Sequence, residues 1–115
     1  MRIQRGALVV AAVAALVGVP LLGGLALADN KHVSEALEHA KEAVSHGKQG
    51  HADALVKHAE GALKHAQAAQ KDMKNPHLDE GVKHLQEAIE HGKAGHADVA
   101  TKHAEGAVTH LSEVK

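Results

Sequence analysis

The chain has 115 residues with no Cys, Phe, Tyr or Trp, 13 Lys and Arg against 14 Asp and Glu, and 12 His. That length sets an expectation of one domain whose core is assembled from Ala, Val, Leu and Ile; without cysteine there are no disulfides, thiolate metal sites or Cys-x-x-Cys-His haem attachment, so any metal must be held by nitrogen and oxygen. A formal charge of −1 with the signs well mixed gives neither a nucleic-acid patch nor a polybasic membrane segment.

Arg2 and Arg5 precede an apolar run from 7 to 27 that closes on Ala26-Leu27-Ala28, a small-x-small cleavage pattern, and gives way at once to Asp29-Asn30-Lys31. This predicts a secretory signal peptide over 1–28, cut after Ala28, and a mature domain over 29–115. An uncleaved transmembrane anchor is the competing reading, because about 20 apolar residues cross a bilayer; Pro20, Gly23-Gly24 and the small-residue exit favour cleavage. The mature chain holds eleven Lys against fourteen acids, a formal charge of −3 with His neutral. In a bacterium such export leads to the periplasm, with no membrane association once the signal is removed.

Residues 31–70 realign on 76–115 at an offset of 45, His for His, and Gly47, Lys48, Gly50, Asp53, Lys57, Glu60 and Gly61 recur as Gly92, Lys93, Gly95, Asp98, Lys102, Glu105 and Gly106. The mature chain therefore reads as a tandem duplication. In chain order, apolar residues keep a heptad at Val33, Ala36, Leu37, Ala40, Ala43 and Val44; at Ala52, Leu55, Val56, Ala59, Ala62, Leu63 and Ala66; at Leu78, Val82, Leu85, Ala88 and Ile89; and at Ala97, Ala100, Ala104, Ala107, Val108 and Leu111. The spacing predicts helices over 31–46, 51–72, 76–91 and 96–113, with Gly47 and Gly92 in the left-handed position after a helix and Asn75-Pro76 as an N-cap and first helical residue. Short turns make successive helices antiparallel neighbours, so the expected fold is all-α: an up-down-up-down four-helix bundle of two duplicated hairpins. Alanine contributes little buried apolar area, so the core should be thin and modestly stable.

The histidines follow the same lattice. His32, His39 and His46 precede the first Gly-Lys-x-Gly turn and His51, His58 and His65 follow it; His77, His84 and His91 precede the second turn and His96, His103 and His110 follow. With Val33, Ala52, Leu78 and Ala97 at a, every histidine falls on g, beside the core seam. In an antiparallel hairpin these g positions face each other, which predicts six rungs: 46 with 51, 39 with 58, 32 with 65, 91 with 96, 84 with 103 and 77 with 110. Histidines seven apart on one helix are roughly 10.5 Å apart along the axis, too far to share an ion, so each rung is expected to be a separate site. Glu35, Glu42, Glu80 and Glu87 each stand four residues before a histidine (His39, His46, His84 and His91) and can complete a His-His-Glu set. Asp29, Met73 and Glu113 are weaker candidates near the end rungs.

Imidazole with carboxylate suits Zn(II), Ni(II), Co(II) and Cu(II), and the affinity order places Cu(II) first. Rungs on open seams point to several exchangeable ions rather than a closed structural site. A solvated surface explains any single histidine but not twelve confined to one heptad position; the Glu residues can equally be solubilising partners of Lys. The Gly-Lys-x-Gly stretches are turns rather than phosphate loops. Di-iron bundles use Glu-x-x-His where this chain has Glu-x-x-x-His, no His-Glu-x-x-His occurs, and no Ser or Cys nucleophile has a supporting triad, so no enzyme is expected. Two other readings compete with metal sequestration. One is a pH-responsive or stress-related interaction module whose histidines charge below neutrality and loosen the bundle. The other is a haem-binding bundle, disfavoured by the missing aromatic residues and the equivalence of the rungs.

The Cys-free, His-rich heptads of EALEHAKEAVSHGKQGHADALVKHAE, with the core EHAxEAVxHGKxGHAD, resemble the small metal-binding protein (SmbP) family of bacterial periplasms, and the resemblance covers 29–115. It implies a monomeric four-helix bundle that binds several copper ions, and other divalent metals less selectively, in storage, buffering or detoxification. Carried onto this chain, its ligands are the twelve heptad histidines with nearby acids assisting. Gly81 and Thr101, where the first hairpin has Ala36 and Val56, depart from the repeat at packing positions.

Overall fold

The computed structural model describes residues 30 to 115, so the signal-peptide expectation for 1–28, and Asp29, lie outside the described residues. Four helices follow in order: α1 (Lys31–Lys48), α2 (Ala52–Asp72), α3 (Pro76–Lys93) and α4 (Ala97–Ser112). No strand occurs among the described residues. Each helix packs on its sequence neighbour, α1 closes the circuit against α4, and α2 also touches α4 across the diagonal. The result is an antiparallel four-helix bundle.

Local chemistry starts the helices. The Asn30 side chain accepts from the His32 amide at 2.7 Å, and Asn75 accepts from the amides of His77 at 2.8 Å and Leu78 at 3.3 Å, which satisfies first-turn donors that have no intrahelical partner. Pro76 then occupies the first helical position, where its missing N–H costs nothing. His51 and His96 are the N-caps of α2 and α4 but make no side-chain cap bond, leaving their rings available.

The turns differ from expectation in one respect. Gly47 and Gly92 are buried inside the last helical turns, and the left-handed residues are Gly50 and Gly95, at φ +81° and +83°. Their amides bond the Gly47 and Gly92 carbonyls at 2.9 and 3.0 Å, while the His51 and His96 amides reach back to the His46 and His91 carbonyls at 3.0 and 2.9 Å. This is the Schellman closure. It runs each helix to Lys48 or Lys93, two residues past the expected end. Gly47 and Gly92 serve close approach instead: a Cβ on Gly47 would lie 2.7 Å from Leu55 Cδ1 and collide with Thr101, and one on Gly92 would lie 2.5 Å from Val56 Cγ2.

The core is the heptad seam, with Ala36, Ala40, Ala43, Ala59, Ala62, Ala66, Ala88, Ala100, Ala104 and Ala107 wholly buried and only Leu55, Leu78, Leu85 and Leu111 as large buried side chains. The departures from the repeat are accommodated. Leu111 replaces the first hairpin's Ala66 while Gly81 replaces Ala36, and a Cβ on Gly81 would lie 3.0 Å from Leu111 Cδ2, so the larger residue fills the space the smaller one leaves. Thr101 is buried with its hydroxyl donating to the Ala97 carbonyl at 2.6 Å, which satisfies the one polar group this substitution adds.

Candidate metal centre

The g positions set the histidines half in and half out of the seam: ten are half-buried, and His51 and His96, at the turns, are exposed. All six expected cross-hairpin pairs meet. Ring centroids stand 5.4 Å apart for His32–His65, 6.0 Å for His39–His58 and 6.3 Å for His46–His51. In the second hairpin they stand 5.4 Å apart for His77–His110, 5.6 Å for His84–His103 and 6.2 Å for His91–His96. The Nδ1 atoms of three pairs face directly, at 3.2 Å for His32–His65 and His77–His110 and 3.4 Å for His84–His103.

The rungs are not isolated, however. The two helices of a hairpin are staggered by half a repeat, so the rings inside each column also stack on a diagonal partner: His39 on His65 at 5.6 Å, His46 on His58 at 4.9 Å, His84 on His110 at 5.4 Å and His91 on His103 at 5.4 Å. Six imidazoles per hairpin therefore form one zigzag column. Spacing along one helix leaves out the partner helix, which halves it, so neighbouring rungs touch; four rungs nevertheless each gather a group of their own.

The carboxylates also sit differently from expectation. Glu35 joins His32 and His65, not His39; Glu42 joins His39 and His58, not His46; and Glu87 joins His84 and His103, not His91. Their oxygens lie 3.2 Å from His65 Nδ1, 3.0 Å from His58 Nδ1 and 3.0 Å from His103 Nδ1. The reason is the lean of helical side chains toward the N-terminus, which carries a glutamate back over the preceding turn toward the histidine three residues before it. Glu80 does group with His84, and with His110. Glu113 contacts His77 Nδ1 at 3.2 Å and completes a group with His77 and His110. Met73 instead packs against the hydrophobic core. No such group among the described residues includes His46, His51, His91 or His96.

Two features set the electrostatics and shape. Burial pushes the His58 imidazole below its ordinary value; Glu42 opposes that shift, and His46 and His39 reinforce it. The Nδ1 atoms of His39 and His46 are buried and unpaired. Gly61 and Gly106, copied by the duplication, were not singled out by the ligand pattern, yet the rings of His39 and His84 lie against them: added Cβ atoms would stand 3.2 and 2.9 Å from the respective Nδ1. A recurring glycine mid-helix opposite a histidine is the signal that could have shown this.

The donor set fits a transition-metal ion. Two nitrogens held at about 2.0–2.1 Å by one ion are separated by roughly 3 Å, the spacing of the facing Nδ1 pairs. The members of each His-His-Glu group lie within 4.8 Å of one another, so modest side-chain rotations bring them to the separations of at most about 4 Å that a shared ion imposes. Buried, unpaired imidazole nitrogens are costly unless they gain a partner, and a metal ion is one.

A helical bundle carrying imidazole columns edged by carboxylates defines a metal-binding protein. The chain belongs to the small metal-binding protein family, whose model matches residues 7–114. No curated protein matches the chain.

Proposed function

We propose that the protein sequesters and buffers several copper ions after export, releasing them by ligand exchange rather than catalysing a reaction. The observation that carries this reading is the set of facing Nδ1 pairs at 3.2–3.4 Å with a carboxylate beside them. Neutral imidazole with carboxylate supports Cu(II) as the preferred ion, with Ni(II), Zn(II) and Co(II) as weaker competitors. Half-exposed ligands favour exchangeable binding over a closed structural site. The charged start of the chain, its apolar run and Ala26-Leu27-Ala28 support a signal peptide cut after Ala28 and a periplasmic location. Among the described residues no helix is long and apolar enough to cross a membrane.

Isothermal titration of the purified protein with Cu(II) is the direct test. Several ions per chain are expected; one or none would sink the proposal. Metal analysis of protein isolated from its own compartment then identifies the physiological ion.

A further inference from the structure

The ligand groups of the two hairpins overlap differently. In the first, His32, Glu35 and His65 form one group and His39, Glu42 and His58 another, with no residue in common. In the second, His77, His110 and Glu113 form one group and His84, Glu87 and His103 another, but between them lies a third, Glu80, His84 and His110, which takes one histidine from each.

Among the grouped ligands, one departure from the repeat accompanies this. Glu113 stands where the first hairpin has Ala68, and it holds the His77 end at 3.2 Å. In the first hairpin Glu35 serves that end, 3.2 Å from His65 Nδ1. Its counterpart Glu80 is released from that role and sits one step further along the column, where His84 stacks on His110 at 5.4 Å.

A neutral imidazole has one lone pair. His110 and His84 can therefore each serve one ion at a time, and the middle group closes only when both flanking groups have given up a histidine. We propose that Glu80, His84 and His110 form a transfer position that hands an ion between the two flanking sites of the second hairpin, while the two sites of the first hairpin fill independently. An ion on His77, His110 and Glu113 loses His77 and Glu113 as it gains His84 and Glu80, keeping His110. It then loses His110 and Glu80 as it gains His103 and Glu87, keeping His84. Each set is two neutral imidazoles and one carboxylate, so donor type and ligand charge are the same before, during and after transfer. That equality removes the electrostatic barrier that a change of ligand charge would impose.

This inference rests on the metal-binding reading. The test uses the purified full chain, isotopically labelled, with less than one equivalent of Zn(II) as a diamagnetic probe, and follows exchange among the histidine signals by NMR. In the second hairpin, exchange between the His77–His110 and His84–His103 signals is expected at a rate independent of protein concentration. Glu80→Gln removes a ligand of the transfer position and is expected to slow it by about tenfold or more, at least the effect of losing an outer-shell partner at a metal site, with the first hairpin of the same molecule as reference. Ala68→Glu is expected to bring the same exchange to the first hairpin. Exchange unaffected by Glu80→Gln, a rate that scales with protein concentration, or all three groups of the second hairpin filled at once would each overturn the transfer position while leaving metal binding intact. An Ala68→Glu variant without first-hairpin exchange would overturn the role given to Glu113. If Zn(II) moves no histidine signal, the metal-binding reading itself fails, and the transfer position with it.

Discussion

Four glycines show how one residue type does two jobs here. Gly106 lies under the His84 ring, with an added Cβ only 2.9 Å from Nδ1. Gly106→Ala removes a helix-interior glycine, worth up to about 1 kcal/mol of stability, but pushes the ring out of the column. Unchanged or raised metal-free melting with weaker Cu(II) binding at the His84 group is the expected outcome, read by calorimetric melting and titration. Gly61 stands in the same relation to His39. At Gly47 the balance reverses, because the added Cβ meets Leu55 and Thr101 inside the core. Gly47→Ala should destabilise by about 1–3 kcal/mol, the cost of overpacking, in urea unfolding without metal; Gly92, against Val56, is its counterpart. His58 adds a pH dependence of known sign. Its folded-state pKa lies below the ordinary 6.5, chiefly through burial, so the unfolded chain takes up its proton first. The stability it contributes is present above 6.5 and is lost as pH falls through its lower folded value.

Along the helices, each hairpin is a column of imidazoles laid on a strip of alanine. The small core side chains leave few large anchors, so Leu85, wholly buried, carries a disproportionate share. Leu85→Ala should cost about 2–5 kcal/mol, read as a lower urea midpoint. The two hairpins are also linked by matched surface ion pairs, Lys48–Glu105 at 3.6 Å and Lys93–Glu60 at 3.7 Å. Exposed pairs of this kind contribute about 0–1 kcal/mol, so apolar packing is the main tie between hairpins. The placement of Glu42 beside His58 gives a sharper test of the site. Glu42→Gln should weaken metal binding at His39 and His58 and spare His46 and His51. Histidine signals followed during a Zn(II) titration distinguish this from a glutamate that serves His46.

Taken together, the bundle offers its ligands only when folded, because each group draws on two helices. Metal binding should therefore raise the melting temperature: one site at a free ion concentration 100-fold above its dissociation constant adds about 2.7 kcal/mol. A Cu(II) addition that leaves the melt unchanged would show that the groups do not bridge helices. Affinity should also fall as pH drops below roughly 6.5, since protons compete for imidazole lone pairs. The proposed export predicts a chain that begins at Asp29 by N-terminal sequencing; an intact Met1 in exported material would refute cleavage after Ala28.

The heptad and the duplication were enough to read the helices, their order, the core faces and the six histidine pairs, because periodicity along a helix dictates which residues share a side and a short turn dictates which sides meet. What the pattern could not supply was anything that depends on two helices at once or on the direction of a side chain. The half-repeat stagger that stacks His84 on His110 is a property of the packed hairpin. So is the closeness at Gly47 and Gly92, which look like turn glycines until the neighbouring helix is in place. Sequence distance alone places Glu35, Glu42 and Glu87 beside the histidine four residues on, whereas the backward lean of helical side chains sets each of them one rung away. Heptad spacing put histidine beside histidine; tertiary packing decided which carboxylate completes four of the six pairs, and joined the second hairpin's groups through His84 and His110.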